Sequence, residues 1–593
     1  MDLVSPQDLL KAAKPLKYFG GIFTARLLHK ILGLDELNNE YNIVKDCNKQ
    51  LFISEAIRTL GFDFEVSKED LDRIPKEGPF ITIHNHPYGG LDGILLMRIL
   101  PEIRPDYKIL VNFLLTNLGP IADYFLPVNP FESHKDVSSS LMGLKGAYKH
   151  LSEGHPLGIY PAGEVSSYKW AKGQVTDREW QHTVIKFIKK AKVPVVPIHF
   201  DGCNSPVFHA LGFIHPALRT LRLPKELMNK EGHKVKVRIG NPISLKDQDL
   251  FPDTNEYARF LRTKTYQLKE DHIKRKGKTT PSVRAETLVD AVPQEEILKE
   301  VEQLQKDKHC LFELNNVSVF CAPSKKIPSV MREIGRLREL TFREIGEGTN
   351  KSIDLDKYDS YYEQLFIWDG ENQKIVGGYR VGKGKEIMDK YGIKGFYINS
   401  LFHISPKMKN VLSETIELGR SFIIKEYQRK TFSLFFLWKG ILFMLLKNKD
   451  YRYLIGPASM SNEFSDTSKV LTAEFLKENF FHSEFGEYVT PRKAFNYKFP
   501  KGLYKDAFLK YTRKDVGKLD RFIQDTEPNF RTPILFKKYL SLNAEILGLN
   551  VDPEFNDCLD TLIILDLFDV PMEIIEGLSR EINDNTILER FKK

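Results

Sequence analysis

Cysteine is scarce. The chain has five in 593 residues, Cys47, Cys203, Cys310, Cys321 and Cys558, and none forms a CxxC pair. That argues against a zinc ribbon or a disulfide framework, and a reducing cytoplasm is the expected setting. Long apolar runs are missing too. The opening MDLVSPQDLLKAAK lacks an apolar core of the signal-peptide kind. The most apolar stretch, Phe432 to Leu446, is interrupted by Lys439 and falls short of the roughly 20 residues that span a bilayer. It reads as a buried or interfacial helix, so the protein is expected to be soluble or peripheral. No metal-ligand spacing is visible, and no metal is expected. Neither sign of charge dominates: the formal net charge is +8. This modest basic excess fits an anionic membrane surface, an acidic carrier protein, nucleic acid or a plain solvated face.

A chain of this length exceeds one ordinary core, so at least two domains are expected. Residues 6–63 read mostly as helix. Tyr18, Phe19, Ile22, Phe23, Leu27, Leu28 and Ile31 make an apolar surface among Lys14, Lys17, Arg26 and Lys30. That surface suits a membrane interface or packing on a core. Strand-like runs then alternate with helical segments: Ile81 to Ile83, YKILVN near 110, PLGIY at 156–160, VPVVPIHF at 193–200 and KVKVRIG at 234–240. Such alternation predicts a layered α/β domain.

The stretch PFITIHNHPYGGLDG at 79–93 carries the first chemistry. A buried strand runs into His86, Gly89 and Gly90 break it, and a helix starts near Asp92. An imidazole titrates near neutrality and suits a general base, and an adjacent carboxylate can hold its ring. The alternative is an ordinary loop histidine beside a helix-capping aspartate. Two further loops, Pro161 to Ser166 and Asp201 to Ser205, follow strands at the ends where open α/β sheets build ligand sites.

HPYGGLDG, YPAGEVS, VPVVPIHF and VRIGNPI, in this order over roughly residues 10–270, resemble the glycerolipid and lysolipid acyltransferases of the hemolysin-like branch. The resemblance implies acyl transfer from a thioester to an alcohol, with His86 deprotonating the acceptor hydroxyl and Asp92 orienting His86. Gly163, Glu164 and Ser166 would hold the acceptor head group. This sequence departs from the pattern twice. Five residues separate His86 from Asp92 where the family has four, so Gly89 and Gly90 must form a loop that closes the distance. Glu164 and Val165 stand where phosphate-handling relatives carry arginine, which argues against lysophosphatidic acid and for an acyl-amino-acid lysolipid.

Residues 271–305 lose periodicity and read as a linker between domains at 1–270 and 306–593. In the second half, VSVFCA, LFIWDG, KIVGGYRVG and GFYINSLF read as strands, and the residues after VSVFCA, with Ile334, Leu337, Leu340 and Phe342, as a helix. SETIELGRSFII reads as helical, with Glu417 and Arg420 on one face. Arg338, Phe342, Asp356, Asp359, Arg380, Glu417 and Arg420, with RTPILFKKYLSLNAEILGL, DPEFN and DTLIILDL, resemble acyl-homoserine-lactone synthases and, more closely, GNAT-like ornithine-lipid N-acyltransferases. The implied reaction places a 3-hydroxyacyl chain from acyl carrier protein on an amino acid's α-amine. Glu417 would be catalytic as base or proton acceptor. Asp356 and Asp359 would bind the amine or cap a loop, and Arg380 and Arg420 would bind the carboxylate or set Glu417. Arg338 and Phe342 complete the substrate-binding set. GGYRVGKG at 377–384 reads better as a strand and turn than as a CoA pyrophosphate loop. A carrier-protein donor is therefore expected, with acyl-CoA as the alternative and no bound cofactor. The basic residues Lys425, Arg429, Lys430 and Lys439 could meet that carrier.

The expected fold is α/β in two domains, a glycerolipid-acyltransferase-like layered domain and a GNAT-like mixed-sheet domain. The expected product is a two-chain ornithine or glycine lipid, made by N-acylation and then O-acylation. Its substrates are an amino acid and a lysolipid, met at the inner face of the cytoplasmic membrane, with no nucleic acid. The alternatives are a phospholipid acyltransferase with a regulatory second domain, an autoinducer-type synthase, and a membrane-binding protein without catalysis.

Overall fold

The computed structural model describes residues 5–7, 21–112, 118–128, 137–269, 285–428, 430–582 and 586–591. Tyr18, Phe19, Lys14, Lys17, Arg429 and the first part of the expected linker fall outside these. The chain divides into two compact units. The first is Met1–Lys274 with Phe499–Thr512 and Arg521–Pro528; the second is Arg275–Lys498 with Arg513–Asp520 and Asn529–Lys593. Two late segments that the sequence reading placed in the second domain therefore belong to the first unit. Asp525 holds one of them there. Its buried carboxylate ion-pairs with Lys264 and accepts from the Asn241 backbone and side-chain amides at 2.9 and 2.7 Å. The later part of the expected linker is also structured. Gln294–Lys306 is a helix that buries Ile297, Val301 and Leu304, one stripe of its surface.

Unit 1 carries β1 (Asp63–Glu65), β2 (Ile81–His84), β3 (Lys108–Asn112), β4 (Phe125–Val128), β5 (Leu157–Ile159), β6 (Ser167–Lys169), β7 (Gln174–Thr176), β8 (Val195–Phe200) and β9 (Lys234–Ile239). Seven of these form one sheet in the order β1-β9-β8-β2-β5-β3-β4, and β6 and β7 form a separate hairpin. The β8–β2–β5 centre is parallel, and β2, β5 and β8 are buried at every position. Strands covered on both faces read as near-continuous apolar runs, as β8 does. Their parallel direction brings the loops after β2, β5 and β8 side by side at one edge.

Unit 2 carries β10 (Cys310–Leu314), β11 (Val317–Pro323), β12 (Glu363–Asp369), β13 (Lys374–Lys383), β14 (Phe402–Ile404), β15 (Thr415–Ile423), β16 (Tyr453–Met460), β17 (Val489–Pro491), β18 (Glu545–Asp552) and β19 (Cys558–Asp566). An eight-stranded sheet runs β10-β11-β12-β13-β15-β16-β19-β18. All its pairs are antiparallel except β15–β16. That parallel pair is matched only from Thr415↔Tyr453 to Glu417↔Ile455, although both strands continue. The pairing ends there, although Gly456 still sits so close to β15 that a Cβ would meet the Leu418 carbonyl at 2.3 Å. The helix Thr431–Lys447 lies on this sheet. Gly440 lets it approach, since a Cβ there would stand 3.0 Å from Val319. No helix among the described residues is long and apolar enough to cross a membrane.

Two sequence readings are corrected. SETIELGRSFII is not a helix: Thr415–Ile423 is strand β15. GFYINSLF is mostly not a strand: it passes through a short helix, Ile398–Leu401, before β14.

Candidate active sites

In unit 1, β2 ends on His84 and releases His86 into the turn. His84 is fully buried and bonds Thr82 Oγ1 through Nε2 at 2.8 Å. Burial, followed by the neighbouring His86, pushes it down to about 3, so it stays neutral. Gly89 takes φ +90°, and the helix Gly90–Ile103 begins behind it. This closes the gap that the His86–Asp92 spacing requires. Asp92 is fully buried and its Oδ2 accepts from His86 Nδ1 at 2.9 Å and from the Tyr88 and Gly89 amides at 3.0 Å each. Asp92 thus bonds both the helix start and the His86 ring. Burial pushes its carboxyl above the usual range, and the His86 and backbone donors offset this only in part. With Nδ1 engaged, Nε2 is the nitrogen left to take a proton. The Tyr160 ring flanks His86 at 4.0 Å between centroids.

The other two loops fix this turn. The Ser166 amide donates to the His86 carbonyl at 2.8 Å, and the Asp177 carboxylate accepts from the His86 amide at 3.2 Å and from the Ser166 hydroxyl. Asn204 donates to the Tyr88 carbonyl at 3.2 Å, and the Tyr88 hydroxyl donates to the Asp201 carbonyl at 3.0 Å. Ser166 is thus buried and committed within the protein. Gly163 serves the backbone: its φ is +68°, and a Cβ would strike the Gln181 side chain. Of the three loop residues, Glu164 alone presents a charge, and it faces Arg219 at 3.4 Å and Arg178 at 3.9 Å. Asp177, Arg178 and Arg219 were not singled out from the sequence, because they lie on a later loop and a distant helix.

In unit 2 the second cluster assembles around β13 and β15. Arg338 is fully buried and donates to Asp359 at 3.0 Å and to Gln364 at 2.8 Å. Arg380, also fully buried, donates to Asp356 at 2.7 Å and stands 3.5 Å from Asp359. Its guanidinium lies 4.9 to 5.4 Å from the rings of Tyr397, Tyr358 and Tyr362. Arg420 meets Asp354 at 3.1 Å and Asp356 at 3.4 Å, donates to the Tyr397 hydroxyl at 3.2 Å, and covers Phe555 at 4.4 Å. Phe342 reaches the cluster through Phe555, edge to face at 6.5 Å. Burial pushes Asp359 up, but Arg338 and Arg380 outweigh it and hold the carboxyl below its usual range. Buried charges persist only when paired in this way. Arg380 Nε and Nη2 have no hydrogen-bond acceptor among the described residues.

Glu417 is buried beside them. Its carboxylate accepts from Tyr362 Oη, from the Tyr397 amide at 3.2 Å and from the Ile398 amide at 2.7 Å. Three donors leave one lone-pair site open on Oε1. Burial pushes the carboxyl up to about 7, against the pull of those donors and Arg380. Glu417 and Arg420 share a cluster although three residues along a regular strand would point them to opposite faces. The register of β15 against β13 slips between Gly378 and Arg380, and Arg420 itself has φ +52°. This bulge adds one residue and restores the shared face.

Sequence reasoning missed Asp354, Tyr362, Tyr397 and Phe555. It also missed two acids near Arg420. Asp560 is pushed up to about 7 by burial and by Asp552, and it accepts from Ser459 at 2.7 Å. Of the basic residues read as a carrier surface, Lys439 is withdrawn: it is buried and paired with Glu581 at 2.7 Å.

A layered sheet presenting a His–Asp pair and a mixed sheet with one parallel pair fit a two-part acyltransferase, and the comparisons show one. A family described as acyltransferase matches residues 9–273, and one described as acetyltransferase (GNAT) domain matches 337–439. A glycine N(alpha)-acyltransferase of Bacteroides thetaiotaomicron is 32% identical over 294 residues, 46% of this chain and 86% of that protein. A lyso-glycine lipid O-acyltransferase of the same organism is 30% identical over 265 residues, 44% of this chain and 94% of that protein. The chain belongs to both families that these enzymes represent, and it is an acyl-transferring enzyme. Among solved structures, a 1-acyl-sn-glycerophosphate acyltransferase from Thermotoga maritima covers 43% of this chain and 91% of its own at 18% identity, with a TM-score of 0.26.

Proposed function

We propose that this chain makes a glycine-headed lipid in two acyl transfers. In unit 2 the glycine carboxylate binds Arg380 and Arg420. Glu417 takes the amine proton through its open lone pair. The amine nitrogen attacks a 3-hydroxyacyl thioester, the C–N bond forms, the C–S bond breaks and the thiol leaves protonated. In unit 1 His86 Nε2 takes the proton of that 3-hydroxyl, the oxygen attacks a second thioester, and the imidazolium returns the proton to the departing thiolate. Asp92 holds the ring through Nδ1 and stabilises the imidazolium as it forms. The observation that carries the reading is the buried Arg380, whose donors exceed the acceptors around it and suit a small carboxylate. The donor is acyl carrier protein, its pantetheine arm lying where the β15–β16 pairing ends. Having both sites on one chain keeps the single-chain intermediate at high local concentration.

Mass spectrometry of lipids from a bacterium lacking amino-acid lipids, with and without this gene, tests the proposal. The expected product carries glycine, one amide-linked 3-hydroxyacyl chain and one ester-linked chain. Ornithine in its place would correct the head group, and changes confined to phospholipids would sink the reading. Supplying purified protein with acyl carrier protein thioesters or CoA thioesters identifies the donor: faster turnover with CoA would sink the carrier assignment.

The enzyme sits on the inner face of the cytoplasmic membrane. Two features support this. The helix Gly21–Ile31 buries Ala25 and His29 while Phe23, Leu27 and Ile31 face outward. The β6–β7 hairpin, directly after Ser166, exposes Trp170, which is 75% accessible, and Trp170 meets Phe213 at 5.5 Å and Tyr168 at 5.3 Å. Aromatic residues of this kind suit the head-group level of a bilayer. Replacing Trp170 and Phe213 together with alanine is expected to weaken co-sedimentation with anionic vesicles by at least roughly tenfold, given the apolar area withdrawn. Unchanged binding would remove the patch from the interface.

A further inference from the structure

Glu164 stands where the resemblance to phosphate-handling acyltransferases leads one to expect an arginine, and two arginines reach the place from elsewhere in the chain. Arg219, on the helix Pro216–Met228, is 9% accessible and holds its guanidinium 3.4 Å from Glu164 and 5.9 Å from the Phe208 ring. Arg178, directly after Asp177, approaches the same carboxylate at 3.9 Å from a half-exposed position. Both separations exceed the 2.7 to 2.9 Å of a direct charge-assisted hydrogen bond. Glu164 therefore leaves the guanidinium donors open to another acceptor.

The place is adjacent to the His86 turn. The Ser166 amide bonds the His86 carbonyl. Leu223, one helical turn beyond Arg219, touches the position a Gly89 Cβ would take, at 3.1 Å, and Val165 touches it at 3.3 Å. The neighbouring cations are spoken for: Arg222 and Lys230 both turn to Glu226, at 3.2 and 3.5 Å. His209 is held below its usual range by burial and then by Arg219, so it adds no charge. Two guanidiniums against one carboxylate leave a single positive charge.

From this we infer that Arg219 and Arg178 form the acceptor head-group site, built for a single carboxylate rather than a phosphate dianion. The inference rests on the proposed O-acylation of N-(3-hydroxyacyl)glycine. In that acceptor the carboxylate carbon lies five bonds from the hydroxyl-bearing carbon, an extended reach of roughly 6 Å at about 1.2 Å per bond along the chain. A carboxylate seated on Arg219 would hold the hydroxyl toward the His86 turn. Glu164 discriminates, because a dianion would meet its charge while gaining no further cation.

The full-length chain, an acyl thioester donor, and N-(3-hydroxyacyl)glycine or its methyl ester as acceptor provide the test. The quantity read is the ratio of kcat/KM for the acid to that for the ester. Arg219→Gln is expected to lower the ratio by roughly 10- to 100-fold, the size of a lost hydrogen bond to charge. Arg178→Gln, at a position where folding tolerates change, is expected to lower it by about two- to fivefold, as befits a more exposed pair. Glu164→Gln is expected to raise the ratio for the free acid by removing a competing carboxylate. If wild type acylates both acceptors and neither arginine variant moves the ratio, the inference is overturned and the proposed function stands. A wild type that acylates neither, yet acylates lysophosphatidic acid, overturns both.

Discussion

Replacing His86 with alanine is expected to cut O-acylation by at least about 10²-fold, the low end for removal of a general base. N-acylation is expected to persist, so cells carrying the variant accumulate the single-chain amide lipid. The expectation follows from the geometry. His86 Nδ1 is fixed on Asp92 at 2.9 Å, so Nε2 is the basic atom, and removing the ring leaves no other side chain of the turn to take the hydroxyl proton. His84 cannot substitute, because it is buried within β2 and holds Thr82. Asp92→Asn separates orientation from basicity. An asparagine can still accept from the Tyr88 and Gly89 amides through its oxygen, but it loses the charge that stabilises an imidazolium. It is expected to lose O-acylation while melting close to wild type. Chromatography of extracted lipids resolves the two products. Full diacyl lipid from the His86→Ala variant would remove His86 from the chemistry.

Much of unit 1 was legible because its signals are local. A β-branched run, a Gly-Gly pair and an aspartate within a few residues specify a buried strand, a left-handed turn and a capped helix. The three loops meet because β8, β2 and β5 are parallel neighbours, as the alternating pattern anticipates. Unit 2 misled at β15 for a physical reason. Glu417 and Arg420 have helical spacing because a bulge at Arg420 resets the strand's alternation, and a period-three signal resulted. GFYINSLF is aromatic and β-branched enough to read as a strand. Glu417, however, accepts from the amides of Tyr397 and Ile398 and so caps the short helix that forms there instead. A long-range hydrogen bond overrode local preference. Arg178, Arg219 and Asp525 were invisible for a related reason: their partners lie far along the chain, and nothing in their own neighbourhoods announces them.

Glu417→Gln is expected to lower N-acylation by about 10² or more and to abolish the diacyl product, since the second transfer needs the first. Supplying N-(3-hydroxyacyl)glycine from outside is expected to restore O-acylation, which separates loss of one site from loss of the fold. A glutamine keeps the amide acceptor for Ile398 but cannot take a proton. The pH profile gives the sharper readout. With the carboxyl near 7, N-acylation by wild type should fall about tenfold per pH unit below 7 as the base is protonated. Tyr362 donates to Glu417 and favours its charged form, so Tyr362→Phe should move that limb to higher pH. Stability carries the opposite sign. Between about pH 4.3, the ordinary glutamate value, and 7, the unfolded chain has lost this proton and the folded chain keeps it, so stability falls as pH rises, by about 4 kcal/mol in all. Glu417→Gln should remove this contribution, so its midpoint of thermal unfolding should gain on wild type at pH 8 relative to pH 4. A variant with full N-acylation and an unaltered acid limb would assign the proton transfer elsewhere. Asp560, whose carboxyl is also raised to about 7, would then be the first group to replace.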